Sequence, residues 1–143
     1  MGLFGSLFSG QTPDYPQLDG ASRAGRKVAE VEQELQELMQ KVSQPLEVVP
    51  SDHAAYVFIG KPPKKFGLAW IHDGKVSGLN TLVEEHGVTP VEIEMVLDRL
   101  REAYARHQDA KHYTATIDER KVVVTASEAL EHEVHEIIDA IVH

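Results

Sequence analysis

The chain concentrates its positive charge in one place. Gly60-Lys61-Pro62-Pro63-Lys64-Lys65 sets three ammonium groups within five positions, and Trp70 and His72 follow. The two prolines hold this loop near an extended conformation, which lowers the entropy lost when it binds something. Lys61, Lys64 and Lys65, with Trp70 or His72 nearby, therefore form a candidate site for a phosphate, a carboxylate or an acidic partner. The loop lacks the spacing and the following helix of a P-loop. A solvated turn whose lysines keep sheet edges from sticking uses the same residues and is the plainer reading.

Histidine is the other group that could do chemistry, with eight copies in the chain. His72 precedes an Asp-Gly turn, and His53 follows Ser51-Asp52, so either could serve as a general base if a distant carboxylate met it. Sequence neighbours do not make a catalytic triad, because the fold must assemble one. Glu131-His132-Glu133-Val134-His135-Glu136 is not H-E-x-x-H, because its histidines are three positions apart, not four. Its Glu and His residues at helical i, i+4 spacing are expected to be surface pairs worth a few tenths of a kcal/mol. G-x-S-x-G and G-x-G-x-x-G are both absent, and there is no cysteine to act as nucleophile, thiolate ligand or disulfide. No catalytic residue, metal or cofactor is assigned from these patterns.

The elements that must position these groups follow from periodicity. Ala24, Val28, Val31, Leu35, Leu38 and Val42 recur every three or four residues, which predicts a long helix over 20–43 with one apolar seam. That seam is expected to pack on the protein's own sheet, with self-association as the sharper alternative. Leu46–Val49 reads as a strand ending in a Pro50-Ser51-Asp52 turn. Ala54–Ile59 and Phe66–Ile71 are apolar on both faces, as in central strands covered twice. Phe66, Leu68 and Trp70 should share one face beneath a helix, and Asp73-Gly74 signals a two-residue hairpin.

Asn80–His86 reads as a short helix closed by Gly87. Thr89-Pro90-Val91-Glu92 opens the next helix with a cap, a proline and a capping box. His112–Ile117 and Lys121–Thr125 form a second hairpin, and Thr125-Ala126-Ser127-Glu128 suggests another capping box before a last helix. The sum is an α+β fold. One mixed or mostly antiparallel sheet of four to six strands packs with a long N-terminal helix, a central helix pair and a C-terminal helix.

Composition narrows the function. The 143 residues carry a formal net charge of −9, so a nucleic-acid partner is not expected. Residues 1–18 read as an apolar, Gly- and Pro-containing tail ahead of a single domain over 19–143. In that tail Leu3, Phe4, Leu7 and Phe8 would share one face of a short helix and are the candidate partner contacts. Met1-Gly2 with Ser6 fits an N-myristoylation pattern, and peripheral membrane contact is the lesser alternative for the tail. The absence of cysteine and of a secretory signal leads to a cytoplasmic expectation. The expected role is a non-enzymatic protein-interaction or scaffold domain that binds a protein or itself. The alternatives are a small-anion module on the basic loop and, third, an enzyme with a histidine general base.

Overall fold

The computed structural model describes residues 15–62 and 64–142. Leu3, Phe4, Leu7 and Phe8 lie outside the described residues. The element order is α1 (Arg23–Glu30), α2 (Glu32–Lys41), β1 (Leu46–Ser51), β2 (Ala54–Lys61), β3 (Lys65–His72), β4 (Lys75–Gly78), α3 (Leu79–His86), α4 (Pro90–Arg106), β5 (Lys111–Ile117), β6 (Arg120–Ala126) and α5 (Glu128–Val142). The six strands form one mixed sheet in the order β4-β3-β2-β1-β6-β5. Only β1 with β6 runs parallel; the other neighbours are antiparallel.

Strand alternation explains the two cores. Leu46 and Val48 of β1, Ala55 and Val57 of β2, Ala69 and Ile71 of β3, and Val122 and Val124 of β6 point to one face. There they meet Val28, Val31, Leu35, Leu38 and Met39 of the first two helices and their junction. Val49, Tyr56, Phe58 and Leu68 point to the other face, against Val96, Leu100 and Ala103 of α4 and Leu130, Val134 and Ile138 of α5. Phe66 and Trp70 join this second core, as their alternation with Leu68 predicts. The heptad seam is therefore used inside the domain, with Leu35 fully buried.

Four boundaries differ from the sequence reading. The N-terminal helix is interrupted at Val31 (φ −116°, ψ 14°), so α1 and α2 are separate helices that keep one apolar face on the sheet. Strand β1 runs through Pro50 to Ser51. Proline is tolerated there because β6 pairs with β1 only at Glu47 and Val48, leaving Pro50 beyond that ladder. Ser127, not Thr125, caps α5, its hydroxyl accepting from the Leu130 N–H at 3.0 Å. Thr125 lies inside β6 and is fully buried. Finally, part of the expected tail is laid on β5. Thr114 donates its N–H to Pro16 and accepts from Leu18, each at 2.8 Å.

Other local signals are as read. Gly87 closes α3 in the left-handed region (φ 66°), and Thr89 and Glu92 form the capping box of α4. Gly60 sits at φ 110°, and a Cβ there would meet the Lys65 carbonyl oxygen at 2.8 Å, so the β2–β3 hairpin needs glycine. Among the described residues no helix is long and apolar enough to cross a membrane.

Candidate functional site

The residues singled out from sequence do not all meet. Lys61 and Lys65 face each other as the last pair of the β2–β3 ladder, and Lys64 lies between them in the turn. All three are exposed, and among the described residues no carboxylate pairs with them. Arg101 of α4 reaches this tip, its Nη2 donating to the Lys64 carbonyl at 3.4 Å while its guanidinium lies 5.6 Å from the Phe66 ring centroid. His72 ends the same strand at the opposite edge, roughly 23 Å away at about 3.3 Å per residue. Trp70 is half-buried in the second core between these ends. The basic tip therefore groups with Arg101 and Phe66, not with Trp70 or His72.

His53 and His72 both sit at hairpin turns with side chains 85% and 73% exposed. His53 pairs with Glu30 of α1. His72 Nε2 lies 3.3 Å from Asp73, because Asp73 takes a left-handed conformation (φ 52°) that folds the two neighbours together. Neither is enclosed in a cleft against a remote carboxylate.

A different polar cluster is assembled from remote segments, on the α4–α5 side of the sheet. Glu47 points from central strand β1 to the same face as Val49. Its carboxylate accepts from Tyr104 OH of α4 at 2.8 Å and from Thr125 Oγ1 of β6 at 2.5 Å. His112 Nδ1 of β5 lies 2.9 Å from that same Thr125 oxygen. A threonine hydroxyl has one proton, and here it goes to Glu47, so His112 donates to Thr125 from Nδ1. Tyr15 stacks on the imidazole with centroids 5.0 Å apart and planes at 30°. Burial, with Glu47 adding to it, pushes the Tyr104 phenol well above its ordinary value, and the same two causes raise Tyr15. The arrangement is a carboxylate–hydroxyl–imidazole chain with Nδ1 of His112 as the donor.

A second chain lies further along the same face. Tyr56 OH is 2.7 Å from His135 Nδ1, and Ser51 donates to Glu131 at 2.8 Å. Burial first, then the charges of Glu131 and Asp139, push the Tyr56 phenol far up, so it keeps its proton beside the imidazole. Between α4 and α5 an open cleft of about 270 Å³ is lined by Arg99, Arg106, Glu133, Glu136 and Ile137. Arg106 holds Glu133 at 3.1 Å, and His107 Nε2 lies 3.3 Å from the same carboxylate. Burial pushes the Glu133 carboxyl up, but Arg106 and His107 outweigh it and hold the group below the usual range. His132 and Glu136 pair at 3.0 Å along the helix surface, and no group of three or more metal-ligating side chains occurs among the described residues.

The second-core side of the sheet thus carries the polar chains, while the outer surface of α3 and α4 carries exposed apolar groups. Val91 is 70%, Met95 52% and Val83 44% exposed, whereas the other large apolar side chains described are at least partly packed. The sequence reading passed over Glu47, Thr125, His112 and this apolar pair. A glutamate inside a strand apolar on both faces was the available signal for Glu47. Comparison with protein-family models, with curated proteins and with solved structures finds no match for this chain.

Proposed function

We propose that the protein is a non-enzymatic protein-interaction domain of the cytoplasm. The observation that carries this reading is the pairing of exposed Val91 and Met95 one turn apart on α4, with Val83 on the preceding helix. Scattered apolar side chains are ordinary on a surface, but a stripe at i, i+4 presents one continuous contact ridge. The apolar residues Leu3, Phe4, Leu7 and Phe8 would supply a second contact. The cytoplasmic placement rests on a cysteine-free composition.

The test is affinity capture from native extract with three immobilised forms: the full chain, Val91→Ser with Met95→Ser, and the chain lacking residues 1–14. The double variant is expected to retain the wild-type circular dichroism spectrum and lose the partners that the full chain retains. Capture of the same set by all three forms rules the reading out.

A second reading is a small-anion module at the β2–β3 tip, supported by three lysines without a carboxylate partner and by Arg101 beside Lys64. Phosphate or a dicarboxylate should then raise the melting temperature of the wild type and not of a Lys61→Gln, Lys64→Gln, Lys65→Gln variant.

A further inference from the structure

The partner's chemistry can be read from what surrounds the exposed apolar pair. Residues 79–102 contain Glu84, Glu85, Glu92, Glu94, Asp98 and Glu102 against Arg99 and Arg101. At 100° per residue, Glu92 and Glu94 flank the Val91–Met95 stripe, and Asp98, Arg99 and Glu102 continue it toward the C-terminus. Some of these charges are engaged. Asp98 pairs with Arg101 at 2.6 Å, Glu85 with Lys75 at 4.0 Å, and Glu92 with its own cap. Glu84, Glu94 and Glu102 have no hydrogen-bond or ion-pair partner among the described residues.

The contrast with α5 is informative. That helix is equally acidic, yet Glu128 pairs with Arg23, Glu131 with Ser51, Glu133 with Arg106 and Glu136 with His132. On α2, Glu32 and Glu37 also lack partners, but no large apolar side chain there is exposed. Among the described residues, α3 and α4 are the helices that combine an exposed large apolar side chain with carboxylates lacking an ion-pair partner.

We propose that this α4 face receives a cationic amphipathic helix from a protein partner. The inference rests on the interaction-domain reading above and adds the partner's class. The apolar stripe is a helix surface, not a strand edge, so the geometry that covers it is a second helix laid along the ridge. The partner's apolar side chains would seat on Val91 and Met95, and its Lys or Arg residues would meet Glu94 and Glu102. Methionine's unbranched thioether adapts to differently shaped partners. A second copy docked through the same face would oppose carboxylate to carboxylate, and a phosphate-bearing surface would be repelled for the same reason.

The probe is a fluorescein-labelled leucine/lysine amphipathic helix of about five turns, with a leucine/glutamate twin as control. Each is titrated by fluorescence anisotropy against the full chain, against Val91→Ser/Met95→Ser, and against Glu94→Gln/Glu102→Gln. The leucine/lysine helix should bind the wild type and shift amide NMR signals within residues 79–102. Loss of the apolar pair should weaken it about tenfold or more. The glutamine variant should bind more weakly and respond less to salt as the Debye length falls from about 10 Å to about 3 Å. The glutamate twin should not bind.

Equal binding by the serine variant, shifts that fall on α5, or equal binding of the twin would overturn the proposal. So would a concentration-dependent dimer in sedimentation that the serine variant abolishes, since a second copy would then occupy the face. Failure of the cationic helix, with extract capture still dependent on Val91 and Met95, would remove the partner class and leave the interaction reading standing.

Discussion

Thr125 has one hydroxyl proton, and its direction decides the hydrogen-bonding roles of two neighbours. Given to Glu47, it leaves only acceptor capacity for His112. Thr125→Val keeps the shape of this fully buried side chain and removes both bonds. We expect a loss of about 1–3 kcal/mol in urea unfolding, because a buried carboxylate oxygen and an imidazole N–H lose a partner. The nitrogen NMR shifts of His112 should move away from the Nδ1–H form. Unchanged stability together with an unchanged tautomer would show that Thr125 does not order this chain.

The tyrosines give a pH signature at the same scale. Tyr56 and Tyr104 are both raised in the folded state, first by burial and then by nearby carboxylates. A group whose folded pKa lies above its unfolded value stabilises the fold fully below the unfolded value and loses that contribution as pH rises. The affected window therefore opens above the unfolded phenol value of about 10. Tyrosinate absorbance from these two rings should appear together with loss of circular dichroism at alkaline pH. Ionisation of both rings in the intact fold would contradict the hydrogen bonds to Glu47 and His135.

Among the elements, the β5–β6 hairpin does more than turn the chain. Asp118 and Glu119 both take positive φ (52° and 67°), the backbone of a tight two-residue turn built without glycine. The turn delivers Arg120 to the C-terminal end of α2. There its guanidinium donates to the carbonyls of Met39 at 2.8 Å, Val42 at 2.9 Å and Gln44 at 3.1 Å. Helix ends leave carbonyls without partners, and a cation is favoured there by the helix dipole. Arg120→Met keeps the aliphatic stem and removes the cap, so it should cost about 1–3 kcal/mol. Hydrogen exchange should accelerate at the Val42 amide, and Arg120→Lys should recover part of the loss. Equal stability of Arg120→Met and wild type would mean that water satisfies these carbonyls as well.

At the scale of the whole molecule, one sheet separates two cores that share strands but few side-chain contacts. Leu35 anchors the face under α1 and α2, and Phe58, fully buried, anchors the face under α4 and α5. Leu35→Ala should cost about 2–5 kcal/mol and Phe58→Ala about 3–5 kcal/mol. Because the two side chains occupy opposite faces, their costs should add to within about 0.5 kcal/mol in urea unfolding. A double variant that denatures at the sum confirms independent cores joined by the sheet, whereas a marked shortfall shows that they relax together. Both faces are covered by helices, and among the described residues the large apolar side chains exposed to solvent are Val83 of α3 and Val91 and Met95 of α4.

Short-range physics made much of this legible in the chain itself. The central strands, the Asp73-Gly74 hairpin, the Gly87 stop and the Thr89 cap depend on residues within a few positions of one another, so their order in the chain encodes them. So does the alternation that sends Phe66, Leu68 and Trp70 to one face. The interruption at Val31, the strand character of Pro50 and the burial of Thr125 depend on which strand lies alongside which, and no local window carries that. The same holds for chemistry. The basic loop stood out because its charges are neighbours in sequence, yet the fold parts it from His72 by the length of a strand. Glu47, Tyr104, His112 and Thr125 are far apart in the chain and meet because β1 and β6 pair in parallel and α4 crosses above them. A hydrogen bond requires atoms within about 3 Å, and only the packed strands and helices supply that proximity.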